Sequence, residues 1–288
     1  MFINMKYYIT TISAIFIALG IGILIGFNLN SKDILSSQQA NLIEQMDKKV
    51  VKVKSENEIL QSTVKSLTEK NEDMNKYMEK TYGKIIEGRL VGKNIGILQT
   101  TEDYFFEGIQ NLPKEAGAGI AYEAVLKDKV NEVNDFAKLS QELNVEIKDK
   151  KALINLIIES LSDKVKNQQR LDYFTAQGYI EIKSISDTPV SVQGLVILGG
   201  SETKNEEKLK NIDKNVIDIC REKGIMALGA ERTDSKASYI EFYKQNKIST
   251  IDNVDELMGR ISMVVVLQGE KGHYGIKETS QDLMPSMK

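Results

Sequence analysis

Between Tyr7 and Leu29 the chain reads YYITTISAIFIALGIGILIGFNL, 23 residues with no charge and no proline. A helix rises about 1.5 Å per residue and about 20 apolar residues cross the hydrocarbon core of a bilayer, so this stretch is long enough to span one. A cleaved signal peptide has a shorter apolar region, about 7–15 residues, and a small-x-small cleavage site. Phe27-Asn28-Leu29-Asn30 offers no such site. An uncleaved signal anchor is the reading that fits, and it makes the rest of the chain a mass tethered to a membrane. Lys6 precedes the span, whereas Lys32 and Asp33 cancel after it. The positive-inside rule then places the N-terminus in the cytoplasm and the C-terminal domain outside the cell membrane. Gly20, Gly22 and Gly26 fall close to one helix face, and Gly22–Gly26 is a GxxxG pair. Such residues let two helix backbones approach closely.

From Ile43 a second pattern begins. Ile43, Met46, Val50, Val53, Asn57, Leu60, Val64, Leu67, Asn71, Met74 and Met78 alternate at spacings of three and four, with charged and polar residues between. A 3.5-residue period is the seam of a left-handed coiled coil, with a at 43, 50, 57, 64, 71 and 78 and d at 46, 53, 60, 67 and 74. Val at a with Leu at d favours two strands, and buried Asn at a, here Asn57 and Asn71, fixes register. The alternative is one amphipathic helix lying on its own domain, for which a two-residue stripe per heptad is narrow. Chains that start in the same membrane pair in parallel. At about 1.5 Å per residue, Ser36–Thr81 makes a rod of roughly 70 Å. The expected seam residues of this homodimer are Asn57, Leu60, Val64, Leu67 and Asn71, continued in the membrane by Gly22 and Gly26.

Tyr82-Gly83-Lys84 breaks the heptads, and a hinge is expected there. The organisation is therefore a membrane anchor over residues 1–31, a coiled-coil stalk over 32–84 and a globular domain over 85–288. In the domain, apolar runs at Lys93–Thr100, Gly119–Leu126, Gly178–Ser184, Val192–Leu198, Gly224–Leu228 and Ile248–Ile251 read as strands. Asn131–Leu143, Lys151–Lys166, Glu206–Lys223, Ser235–Gln245 and Val254–Leu267 have helical spacing. Strands alternating with helices imply a parallel sheet covered on both faces, an α/β, Rossmann-like domain. Ligands of such sheets sit beyond the carboxyl ends of the strands, which points to the loops Gln99–Asp103, Gly199–Thr203 and Gly229–Asp234.

The chemistry is sparse. Gly199-Gly200-Ser201 follows a strand but lacks both the GxGxxG fingerprint and a following GK[ST], so a turn made from two glycines explains it as well as a phosphate loop does. HExxH, CxxC and GxSxG are absent, and His273 is the only histidine. Acid–base catalysis would have to run on carboxylates such as Asp187, Asp234 and Asp252, and nothing in the sequence groups them, so the chain does not read as an enzyme. A formal net charge of −3 with mixed signs argues against nucleic acid as a partner. Cys220 is the only cysteine, so no disulfide scaffold exists. Soft thiolate and thioether ligands suit Cu(I). Met46, Met74 and Met78 belong to the seam, Met226 to a strand and Met258 and Met263 to an apolar helix, which leaves His273, Met284 and Met287 as the candidate metal ligands.

The C-terminal stretch STIDNVD, then Gly259-Arg260 opening an apolar helix, then Gly272-His273-Tyr274-Gly275 and Leu283-Met284-Pro285, resembles the end of the MctB family. The span ALGIGILIG, the coiled coil, Lys93-Asn94-Ile95-Gly96-Ile97 and Val196-Ile197-Leu198-Gly199-Gly200 agree with it, so the resemblance covers essentially the full chain. It implies a membrane-anchored envelope protein concerned with copper homeostasis or efflux, with copper as its metal. Two other readings stand beside it. One, from the heptads, the tether and the missing catalytic motifs, is a non-catalytic envelope interaction module on a dimeric stalk, for which the same resemblance implies a role in cell division or the control of wall hydrolases. The other is a small-molecule-sensing α/β domain.

Overall fold

The structure, a computed structural model, describes residues 5–286. It divides into two compact units, Met1–Asp73 and Met74–Lys288. Helix α1 runs Met5–Ile86. Within the first unit its apolar residues are solvent-exposed from Met5 to Phe27 and again at Ile43, Met46, Val50 and Val53. Among the described residues one helix stretch, Met5–Phe27, is long and apolar enough to cross a membrane. That is two residues earlier at each end than the sequence limits.

The second unit begins with the last turns of α1. The break expected at Tyr82–Lys84 does not occur: the helix continues through Gly83 to Ile86, and the chain turns at residues 87–92. Met78, which the heptads place on the seam, is buried in the domain core with Ile86 and Leu90. Periodicity marks a residue as apolar but does not say which partner covers it.

The sheet contains β1 (Asn94–Gln99), β2 (Gly119–Leu126), β3 (Ile180–Ile185), β4 (Gly194–Leu198), β5 (Met226–Ala230), β6 (Ser249–Ile251) and β7 (His273–Tyr274). Their order is β3-β2-β1-β4-β5-β6-β7. Every pairing is parallel except β2 with β3, which corrects the wholly parallel expectation. The exposed face of β3 follows from its place at the edge, where Glu181 and Lys183 alternate with Ile180 and Ile182. The central β4, Gly-Leu-Val-Ile-Leu, is buried throughout, as a strand covered on both faces must be.

One face packs α5 (Lys150–Ser162), α6 (Lys164–Ala176), α8 (Lys214–Glu222) and α9 (Ile240–Gln245) over the sheet. The other packs α2 (Asn111–Glu115), α10 (Leu257–Gln268) and the end of α1. Three helical expectations change. Asn131–Leu143 is two helices, Lys129–Glu132 and Phe136–Leu143, because Val133 turns extended and Asp135 caps the second. Lys151–Lys166 breaks at Asp163, whose carboxylate accepts from Lys166 N and starts α6. Ser235–Gln245 is helical only from Ile240, since Ser238 and Tyr239 are drawn out of helix by Glu231.

Candidate functional site

From β1 the chain moves outward through α2 to β2 on one face; from β4 it moves through α8 to β5 on the other. The loops diverging between β1 and β4 therefore mark the topological switch point, the usual ligand crevice of an open α/β sheet. The three loops expected from sequence meet here. Glu202 N donates to Asp103 Oδ2 at 2.9 Å. Tyr104 OH donates to Ser201 O at 3.2 Å and accepts from Lys236 N at 2.9 Å. Arg232 donates to Phe105 O at 3.0 Å and is ion-paired with Asp234. The first loop is thus fastened across the other two.

Side chains fill the space beneath. Asp213 is fully buried, at the end of a π-helical turn, Leu209–Asp213, that leads into α8. Its Oδ1 accepts from Thr100 Oγ1 and from Tyr243 OH, each at 2.7 Å, while Oδ2 has no partner. Burial raises its pKa to about 6 against the pull of Tyr243, Thr100 and Lys208. Lys208, itself buried, is ion-paired with Asp128. Tyr239 and Tyr243 stack edge to face, their centroids 6.2 Å apart.

The glycine pair explains how they fit. A Cβ on Gly199 would fall inside the surfaces of the Tyr243 hydroxyl and the Tyr239 ring. Gly200, at φ +87°, turns the chain against Ser235. These glycines admit tyrosines where a phosphate loop would admit phosphate, which favours the turn reading of Gly199-Gly200.

Two further buried carboxylates lie beyond β5 and β6. Glu231 accepts from Ser238 Oγ and Lys277 Nζ at 2.6 Å and from Tyr239 N at 2.7 Å. Burial pushes its pKa up and Lys277 pulls it down. Asp252 accepts from Ile276 N at 2.8 Å, from Lys277 N at 3.1 Å and from the Ser280 hydroxyl. The segment after β7 is thereby tied to the sheet. Of the carboxylates considered from sequence, Asp187 pairs with Lys164 and Asp234 with Arg232, and Asp252 serves this tie. Sequence reasoning missed Asp213, although the signal was present: it shares the helical stripe of Val216, Ile217 and Cys220, where a charge is out of place.

Among the described residues the soft donors His273 and Met284 lie apart. His273 Nδ1 lies 3.0 Å from Thr250 Oγ1, its register partner. Burial, and then the Lys244 ammonium, holds the imidazole below its usual pKa. Its neighbour Tyr274 points to the opposite face of the sheet, where Met284 packs on the core that contains Tyr274. Met287 lies outside the described residues. The Cys220 thiol is buried, and that burial pushes its pKa up to about 12, away from the thiolate a metal needs. Among the described residues no group of three or more His, Cys, Asp or Glu is placed to hold a metal ion. Among the described residues, His273, Met284 and Cys220 do not form a copper site within one chain.

A helix able to cross a membrane, an exposed heptad-patterned helix face and an α/β domain with a filled switch point define a class of helix-borne α/β proteins that sit at a membrane. The chain belongs to the family described as copper transport outer membrane protein, MctB, whose model matches residues 2–285. A search of curated proteins finds no match.

Proposed function

We propose that this protein is a single-pass envelope protein of the cell membrane that serves copper homeostasis or efflux as an accessory and does not itself form the conduit. The observation that carries the reading is the family match over residues 2–285, joined to one span, Met5–Phe27. One helix cannot wall a polar path, because the bilayer core admits only helices packed together or closed barrels around such a path. The signal anchor would leave the N-terminus in the cytoplasm and the α/β domain outside. The test is a deletion strain grown on a copper series beside Cu(I) competition titration of the purified chain. Copper hypersensitivity on deletion supports the role; unchanged tolerance together with no Cu(I) binding rejects it. A reporter fused after Pro285 must also be active on the outer side.

A second reading has its own observation. The crevice where α/β sheets bind ligands is occupied by Tyr239, Tyr243 and Asp213, which suits a domain that works through its surface. In this reading the chain is a non-catalytic interaction module on a dimeric stalk, acting on a division or wall-hydrolase partner. Cross-linking in cells that recovers only the protein itself would count against it.

A further inference from the structure

Along α1 the seam residues Ile43, Met46, Val50, Val53, Leu60, Val64, Leu67 and Met74 are each between 53% and 64% exposed. A stripe of this length left in water calls for a cover. Val50, Val53, Lys54 and Asn57 line one groove. They occupy successive a, d, e and a positions, the four that form the hole for a d-position knob, here Val53, of an identical parallel helix. Resting on the stalk reading above, we infer that this face takes a second copy of the chain, parallel and in register, and that Asn57 and Asn71 hold that register against the pattern of surface charge.

The flanking residues carry the second half of the argument. In register, each g residue meets the e residue five positions on in its partner. From Lys49 to Asn75 these contacts are Lys49 with Lys54, Glu56 with Gln61, Thr63 with Thr68 and Lys70 with Asn75. None is an opposite-charge pair and one is a like-charge pair. Slipping one chain by a heptad brings Lys49 to Asp47 and Glu56 to Lys54, both attractive. Surface charge therefore favours the slip. The slip sets Asn57 against Val50 or Val64 and Asn71 against Val64 or Met78, so neither amide meets a polar partner across the seam. In register, Asn57 meets Asn57 and Asn71 meets Asn71. An unpartnered buried amide outweighs exposed ion pairs, which are weak. Asn57 also accepts from Gln61 Nε2 at 2.8 Å within one helix, so its amide is already held at the seam edge. A common membrane start works in the same direction.

The test uses the full chain in vesicles, with Cys220 left in place because it is buried. Leu60→Cys and Leu67→Cys are oxidised with diamide, and Ser62→Cys, on the outer face, is the control. Both seam variants should give disulfide-linked dimers at least ten-fold above Ser62→Cys. Equal yields, or no dimer from either seam variant, overturn the interface. Co-expressed Leu60→Cys and Leu67→Cys chains of different tag length should give homodimers; a mixed product as abundant as these overturns the register. In the Asn57→Val/Asn71→Val background the mixed product should rise several-fold, and no rise overturns the role given to the two Asn. Raising NaCl from about 0.05 to 0.5 M should hold or increase the yield, since it screens Lys49 from Lys54; a several-fold fall overturns the charge argument. Dimers that form as expected in a protein that binds no Cu(I) and whose deletion leaves copper tolerance unchanged would reject the copper role and keep the pairing.

Discussion

Asp213→Asn isolates the cost of a buried charge. Burial lifts the folded-state pKa of Asp213 to about 6 from an ordinary value near 3.8. For a raised carboxyl, stability is fully present below the unfolded pKa and is lost as pH rises through the folded one. About two units of separation correspond to about 3 kcal/mol at neutral pH, most of which develops between pH 4 and pH 7.5. Asn keeps the acceptor that Thr100 and Tyr243 use and has no charge to bury. It places an NH2 where Oδ2 has no partner, a penalty of about 1–3 kcal/mol that does not vary with pH. Glu231 and Lys277 are common to both proteins and cancel. The assay is urea unfolding of the full chain in detergent at several pH values, followed by near-UV circular dichroism of its tyrosines. Relative to wild type, the variant should gain about 2–3 kcal/mol between pH 4 and pH 7.5. A difference that stays flat, or moves the other way, refutes the assignment of a pKa raised by burial.

Gly199→Ala drives a methyl into Tyr239 and Tyr243; it should cost about 3 kcal/mol, and at about 2–4 °C per kcal/mol the melting point should fall accordingly. Lys277→Met leaves Glu231 buried without its cation, a loss of about 3–5 kcal/mol at pH 7.5. That loss should shrink on acidification, because Glu231 is already pushed toward its protonated form and can take up the proton. Cys220 should resist iodoacetamide in the native protein and react fully in urea, since burial suppresses its thiolate.

The features legible in the sequence are those whose signal is local. β1, β2 and β4 announced themselves as apolar runs, and the span and heptads follow from composition and period alone. The rest depended on tertiary partners. Asp163 reads equally as a mid-helix residue or an N-cap, and only the fold shows it accepting from Lys166 N. β7 is two residues long and exists because Thr250 and Ile251 of β6 pair with it. Met78 satisfies both the heptad and the domain core, and the core takes it. The loops at the switch point could be read from strand ends, but not their occupants, because Asp213 and Tyr243 arrive from helices well along the chain. His273 and Met284 illustrate the converse: close in sequence, they lie apart because alternation along the strand sends Tyr274, not His273, to the face whose core Met284 packs on.

The family description and the geometry of the span can be set against each other directly. Each chain brings one helix able to cross the bilayer, Met5–Phe27, so a pair brings two. Two helices side by side touch along a line and enclose no channel, while a polar path needs a complete wall of protein. Among the described residues, the soft donors His273 and Met284 likewise lie on opposite faces of the sheet. In the accessory role proposed above, copper runs through another protein. The purified chain in liposomes that contain a Cu(I)-responsive dye should therefore show copper entry no faster than in empty liposomes. Entry several-fold above that background would refute the accessory role and would require an assembly larger than a pair.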